Sequence, residues 1–380
     1  MTLYFVVFAL LWFGFALRAA SVRTLETVDV IALLIFVLVA GQRFETGNDW
    51  VIYRDHFSAM QDYMIWGSER LADFPDFEPL YVLTVWVVGI FFDFQTFLLL
   101  VAVFNGIVLF RFSRFWKASF VGVCAIYYAW LYLGTQMATI RYSLAMSFLM
   151  WATMCVVANR RWAAAVFCLI AVGYHLSVLA FVPLFVLFGR RITLAWAAIV
   201  LAVGYALVQA LLSLVLSGML AGVPFLDKLS LYLQVATISQ LSWASWGYLA
   251  LNIAFFIWIF VSDKDDAQWR VVQWSVFYLL FLEIVLWSIP IFWVRAQVFV
   301  IVIQAGVLAR AIVTRRSMVS VLALACVSLA VFYRTIADPA FISYVPYQSY
   351  WVNELFLGDA AHDGEARFYE AIERSKERSR

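Results

Sequence analysis

The chain has 380 residues, 66% of them hydrophobic and 13% charged, with a mean hydropathy of +0.91. A soluble globular domain is nearer half apolar and a quarter charged, so this composition excludes one and fits a multi-spanning membrane protein. The net charge of +2 leaves no electrostatic footprint for nucleic acid, which is not expected as a partner.

The apolar runs are helix-length and mostly unalternating, which predicts an all-α polytopic protein and not a lipid-facing barrel. They fall at about 2–17, 28–41, 79–92, 95–110, 118–133, 137–158, 162–174, 176–189, 192–217, 246–262, 270–289, 291–309 and 317–333. About 12–14 transmembrane helices are expected, several too short to cross untilted. The first run ends at Ala16–Ser21 like a signal peptide, but it lacks a basic start and another apolar run follows at once. A retained first helix is expected.

Between the second and third runs lies the stretch 42–81, with Glu45, Asp49, Asp55, Asp62, Glu69, Asp73, Asp76 and Glu78 against Arg43, Arg54 and Arg70. It is an acidic loop, and the rest of the chain is mostly apolar helix that holds it over the bilayer. Further on, lysines and arginines mark alternate turns: Arg111, Arg114 and Lys117; Arg160 and Arg161; Arg190 and Arg191; Lys264 and Arg270; Arg310, Arg315 and Arg316. The positive-inside rule makes these turns cytoplasmic. The opposite ends, including Tyr174–His175 and the loop 217–245, are then outside. For the 42–78 loop to be outside as well, the run 79–92 must enter and return; the alternative places the loop inside. Residues 1–334 read as one membrane domain and 335–380 as a polar carboxyl-terminal tail, whose stretch Gly358–Arg380 reads as a solvated helix. Segment 219–245, with Gly222, Pro224, Asp227 and Lys228, reads as a mobile lid or as an interfacial helix and turn.

Ionisable residues inside spans are costly and mark function by default. Arg141, His175, Glu283 and Arg295 all fall in the outer half of the membrane on this orientation, and Arg334 ends the last span on the same side. Arginines offer a planar fork to phosphate oxygens, and histidine exchanges or donates a proton near neutral pH. An anionic lipid headgroup fits such a set. Each residue also has a plainer reading. Glu283 and Arg295 neutralise one another across a hairpin, His175 bonds a helix junction, and Arg141 and Arg334 snorkel. Cys124, Cys155, Cys168 and Cys326 sit singly in apolar runs, without disulfide or metal spacing.

Several short elements occur in an order that resembles the EpsG/Wzy-type polysaccharide polymerases. Arg43, Gly47, Asp49 and Tyr53 match an early "R…G.D…Y" signature, and Glu78-Pro79-Leu80-Tyr81 an "E.LY" element. Arg141 in TIRYSLAMSF stands in "RQ.lA", with Tyr142 in place of glutamine. GYHLSVL around His175 resembles "FH.S", Arg295 stands where a further arginine is found, and Val345-Pro346-Tyr347 resembles a terminal "PY". The resemblance implies a GT-C-like membrane glycosyltransferase of the bacterial inner membrane, facing the periplasm. It would polymerise undecaprenyl-diphosphate-linked oligosaccharide repeat units into a surface polysaccharide such as O-antigen or exopolysaccharide. It implies no cofactor and no metal, with lipid, a flippase and a chain-length regulator as partners. On that reading Arg141, Arg295 and Arg334 face the diphosphate, with His175 as base or leaving-group donor and Asp49 or Glu78 as rival bases. Arg43, Tyr53, Tyr81, Glu283 and Tyr347 complete the substrate-binding set. A flippase or transporter, an O-antigen ligase or other polyprenyl-dependent transferase, and a structural export subunit are the competing readings. A transporter needs charges at the midplane or on both sides.

Overall fold

Lipid offers the backbone no hydrogen-bond partners, so apolar runs of this length satisfy themselves as helix. The computed structural model describes residues 1–21, 26–67, 77–188, 190–217, 243–262, 266–287 and 290–379. Among these the chain is all-α, with no strand beyond one isolated antiparallel bridge between Arg43 and Ser349. The acidic residues Glu69, Asp73 and Asp76, with Arg70, lie outside the described residues, as do Lys264 and most of the expected loop 217–245.

In chain order the helices are α1 (Thr2–Ala20), α2 (Glu26–Gly41), α3 (Trp50–Trp66), α4 (Pro79–Gly89), α5 (Phe94–Phe115), α6 (Phe120–Tyr127) and α7 (Leu133–Thr135). They continue as α8 (Ile140–Val157), α9 (Arg161–Tyr174), α10 (Val182–Leu187), α11 (Leu194–Leu216) and α12 (Trp243–Val261). The last four are α13 (Ala267–Val285), α14 (Pro290–Arg315), α15 (Met318–Ile336) and α16 (Gly364–Ser379). A π-helical turn, Tyr128–Tyr132, joins α6 to α7, and a 3₁₀ turn, Leu176–Phe181, leads into α10. Six helices among the described residues are long and apolar enough to cross a membrane: α1, α5, α8, α11, α14 and α15. The others are shorter or carry acidic residues, as α2 does with Glu26 and Asp29. The molecule is an all-α polytopic membrane protein.

Contacts divide it into two ends. At one end Arg114 meets Glu26 at 3.3 Å, Gln268 donates to the Phe115 carbonyl at 2.8 Å, and the Trp274 indole donates to the Arg190 carbonyl at 2.9 Å. The basic turns after α5 and α10 and the start of α13 therefore share this end. At the other end Gln95 donates to the Gly41 carbonyl at 2.9 Å, and the Tyr142 hydroxyl donates to the Arg295 carbonyl at 2.5 Å.

Helix α4 does not join the crossing pattern. Its 11 residues span about 16 Å, roughly half a hydrocarbon core. Its start lies against the end of α9, where Thr84 and Tyr174 share a hydrogen bond of 2.7 Å. Its finish is held by Gln61 of α3, whose amide donates to the Gly89 and Phe92 carbonyls at 3.1 and 3.2 Å. The chain returns to the end it came from.

The carboxyl tail folds back over the same end. Phe44 N–H donates to the Gln348 carbonyl at 2.9 Å, Gly47 N–H to that of Ser343 at 3.0 Å, and Tyr350 N–H to that of Gln42 at 2.7 Å. Helix α16 lays Phe368 on Trp50 and Val51, while Arg367 donates to the Glu45 carbonyl at 3.1 Å. The four cysteines are free.

Candidate functional site

The start of α8 is fixed from beneath and from above. Beneath it, Asn105 of α5 donates to Gln136 Oε1 at 2.9 Å and to Ser143 Oγ at 3.0 Å, and Ser147 Oγ donates back to Asn105 Oδ1 at 2.7 Å. Above it runs the loop after α2. Arg43 donates to the carbonyls of Ala40 at 3.0 Å and Gln136 at 2.8 Å. Gly47, at φ +119°, passes so close to the Met137 carbonyl that a Cβ would sit 2.2 Å from the oxygen. Only glycine takes this backbone conformation readily and leaves that space.

Held this way, α8 presents Arg141, its second residue, in its first turn. The guanidinium ion-pairs with Glu78, the residue before α4, and lies 4.4 Å over the Phe77 ring, with Tyr53 and Tyr81 at 6.0 Å. Burial disfavours the Glu78 carboxylate, but its own backbone N–H, that of Leu176 and Arg141 outweigh burial and hold its pKa below the ordinary value. Leu176 N–H donates to Glu78 Oε1 at 3.1 Å, so both carboxylate oxygens are engaged.

His175 closes the other side. It ends α9, with Nδ1 at 3.7 Å from Glu78 Oε1. Ser177 N–H donates to Nδ1 at 3.3 Å and Ser177 Oγ lies 3.0 Å away. An Nδ1 that accepts a backbone N–H leaves the proton of the neutral ring on Nε2. Burial pushes the His175 pKa down to about 4, with Arg141 and Arg295 acting the same way against Glu78. Side-chain exposures of 23% for Arg141, 16% for Glu78 and 17% for His175 leave each within reach of a ligand.

Of the other expected site residues, Asp49 precedes α3 within the field of Arg141. Burial raises its pKa, partly opposed by that arginine. Tyr53 and Tyr81 are buried beneath the cluster, their rings 5.7 Å apart. Arg295 is exposed on the first turns of α14, and its carbonyl accepts from Tyr142, whose ring meets His175 edge-on at 5.2 Å. Arg43 and Tyr347 lie apart in a second group with Tyr4, Arg43 buried and Tyr347 half-buried; Tyr347 donates to the Val39 carbonyl at 3.1 Å. Glu283 is fully buried deeper in the helices, accepting from Asn252 at 2.9 Å, and it makes no ion pair with Arg295. Arg334 is exposed at the end of α15.

Three neighbours carried no site role in the sequence reading. His56 packs edge-on against Phe77 at 4.5 Å, and burial, with help from Arg141, pushes its pKa down to about 4. Its position one helical turn after Tyr53 was a readable signal. Tyr142 and Ser177 flank Arg141 and His175 in sequence, but only tertiary geometry shows their bonds.

No curated protein and no solved structure matches the chain, so the expected GT-C-like architecture rests on resemblance alone. A family model described as the EpsG family matches residues 26–349, which takes in the loop, the Glu78–Arg141–His175 cluster and the strand-like contact of the tail. The chain belongs to the EpsG family.

Proposed function

We propose that this protein is a polysaccharide polymerase that joins undecaprenyl-diphosphate-linked oligosaccharide repeat units at the outer face of the bacterial inner membrane. The family suggests polysaccharide polymerisation in general. The observation that carries the finer reading is the half-buried Arg141–Glu78–His175 cluster, with Arg295 beside it, at the end opposite the basic turns.

The acceptor sugar hydroxyl attacks the anomeric carbon of the donor glycan. The new glycosidic bond forms as the bond to the diphosphate breaks, and the polyprenyl diphosphate departs with the bonding electrons. Arg141 and Arg295 neutralise the charge that develops on it, and His175 Nε2–H donates a hydrogen bond to a phosphate oxygen. Glu78, with both oxygens occupied and its basicity reduced, holds Arg141 in place. Asp49, with its raised pKa, takes the proton of the attacking hydroxyl. Arg43 and Tyr347 position the loop from within. With guanidinium groups in this role the reaction requires no metal, and a chelator leaves turnover unchanged.

The test uses protein in nanodiscs with lipid-linked oligosaccharide from its own host. A size ladder of repeat units, lost in folded Arg141→Ala and His175→Ala variants, is the expected product. Transfer of one unit to a different acceptor would establish a ligase. Unaltered substrate that crosses the bilayer in a vesicle assay would establish a transporter.

A further inference from the structure

The end opposite the candidate active site carries a second feature, unconnected with that chemistry. A polar cavity of about 330 Å³ is lined by Ser262, Asp266, Gln268, Arg310, Thr314 and Arg315, with indoles from Trp116, Trp258 and Trp269. It adjoins an apolar groove of about 480 Å³, and Trp258, Ala311 and Arg315 line both. Both volumes are typical of ligand sites, roughly 300–1,000 Å³.

The groove has a structural origin. Helix α12 packs on α13, and α15 packs on α1 and the π turn, so the two walls stand apart over α14. Ile301 and Leu308 of α14 form the floor, with Leu251 and Phe255 on one wall and Leu324 and Val327 on the other. Leu251 and Val327 are exposed along the groove.

The polar cavity sets two guanidinium groups against one carboxylate, Asp266, whose Oδ1 accepts from Trp269 N–H at 2.7 Å as it caps α13. Arg310 and Arg315 make no ion pair with any carboxylate among the described residues. Two such guanidinium groups at the mouth of an apolar channel, ringed by indoles, match a phosphate joined to a hydrocarbon chain.

We infer that this paired cavity and groove is a binding site for an anionic phospholipid of the leaflet on the basic-turn side. The phosphate lies between Arg310 and Arg315, and one acyl chain runs along α14 between α12 and α15. The site is separate from the one that handles the lipid-linked glycan.

Delipidated protein in detergent is titrated with dioleoyl phosphatidylglycerol or dioleoyl phosphatidylcholine and followed by native mass spectrometry. Phosphatidylglycerol is expected to bind more tightly than phosphatidylcholine by about 10- to 30-fold, the effect of two basic side chains on one anionic headgroup. An Arg310→Gln/Arg315→Gln variant loses that preference, while Arg160→Gln/Arg161→Gln, on the same face, keeps it. Ala311→Trp plugs the junction with every charge intact and weakens binding of phosphatidylglycerol; it serves if the double variant fails to fold. Equal binding of the two lipids, or full binding by the plugged variant, overturns the assignment. So does displacement of the lipid by millimolar inorganic phosphate, or by the lipid-linked oligosaccharide. A protein dimer that Ala311→Trp dissociates would mean that a second copy covers the groove, and would also overturn it.

Discussion

Glu78 and Asp49 are both carboxylates near Arg141, and their surroundings push them apart. Glu78 is held below its ordinary pKa by hydrogen bonds and Arg141, and Asp49 is raised by burial. A group poised closer to neutrality is the better base, so Asp49→Asn is expected to lower kcat by about 100- to 10,000-fold with little effect on KM. Glu78→Gln is expected to impair KM as well, because Arg141 loses the carboxylate that orients it. Steady-state kinetics with purified lipid-linked substrate separate the two. The buried histidines make a further prediction. His56 and His175 have pKa values of about 4 in the folded chain, against an ordinary 6.5. Between these values the unfolded chain binds more protons, so stability is full above about 6.5 and falls as the pH drops toward 4. Melting temperatures in detergent from pH 7 to pH 4.5 should fall, and less steeply in His56→Gln.

At the scale of elements, the loop after α2 is set by Gly47. With φ at +119° and the Met137 carbonyl 2.2 Å from any added Cβ, Gly47→Ala meets both backbone strain and a backbone clash. A cost of about 1–3 kcal/mol is expected, with loss of polymerisation. Gly67→Ala is the control. That residue caps α3 in the left-handed region at φ +64° with open space around it, so the cost is about 1 kcal/mol and activity survives. Thermal unfolding and polymer yield measured together distinguish the two positions. Helix α4 was readable in the sequence as a run too short to cross, because length is a local property. The partners that hold it, Gln61 and Tyr174, come from separate segments and were not readable.

For the whole molecule, the basic turns that alternate along the sequence gather at one end, because from α5 onward the apolar runs reverse the direction of the chain between them. Orientation in the cell is then testable with cysteines introduced into a variant that lacks Cys124, Cys155, Cys168 and Cys326. An impermeant maleimide should label Ser349→Cys in right-side-out vesicles, and Lys117→Cys only after inversion. The all-α membrane class was legible from the apolar runs, and span-end charges put Arg141 and His175 on one side. Glu78, in contrast, entered only through a short motif, as a candidate base and not as the partner of Arg141. The burial of Arg43 was not, since a motif arginine looks the same whether it faces a ligand or holds two backbone carbonyls. The lack of a Glu283–Arg295 pair was equally hidden: Asn252 takes the carboxylate, and it lies 31 positions from it in sequence.

The return of the tail to the loop after α2 has a consequence for synthesis. The loop leaves the ribosome early, yet its backbone partners at Ser343 and Gln348, and Arg367 that clasps Glu45, are made after all six of the long apolar helices among the described residues. A nascent chain that already holds those six helices therefore still lacks the clasp over the loop after α2. Chains stopped after Asp338 should insert and resist extraction from membranes but form no polymer. Supplying the missing segment as a separate peptide should restore activity in proportion to its occupancy. Polymer would then form only once the segment that follows α15 is in place.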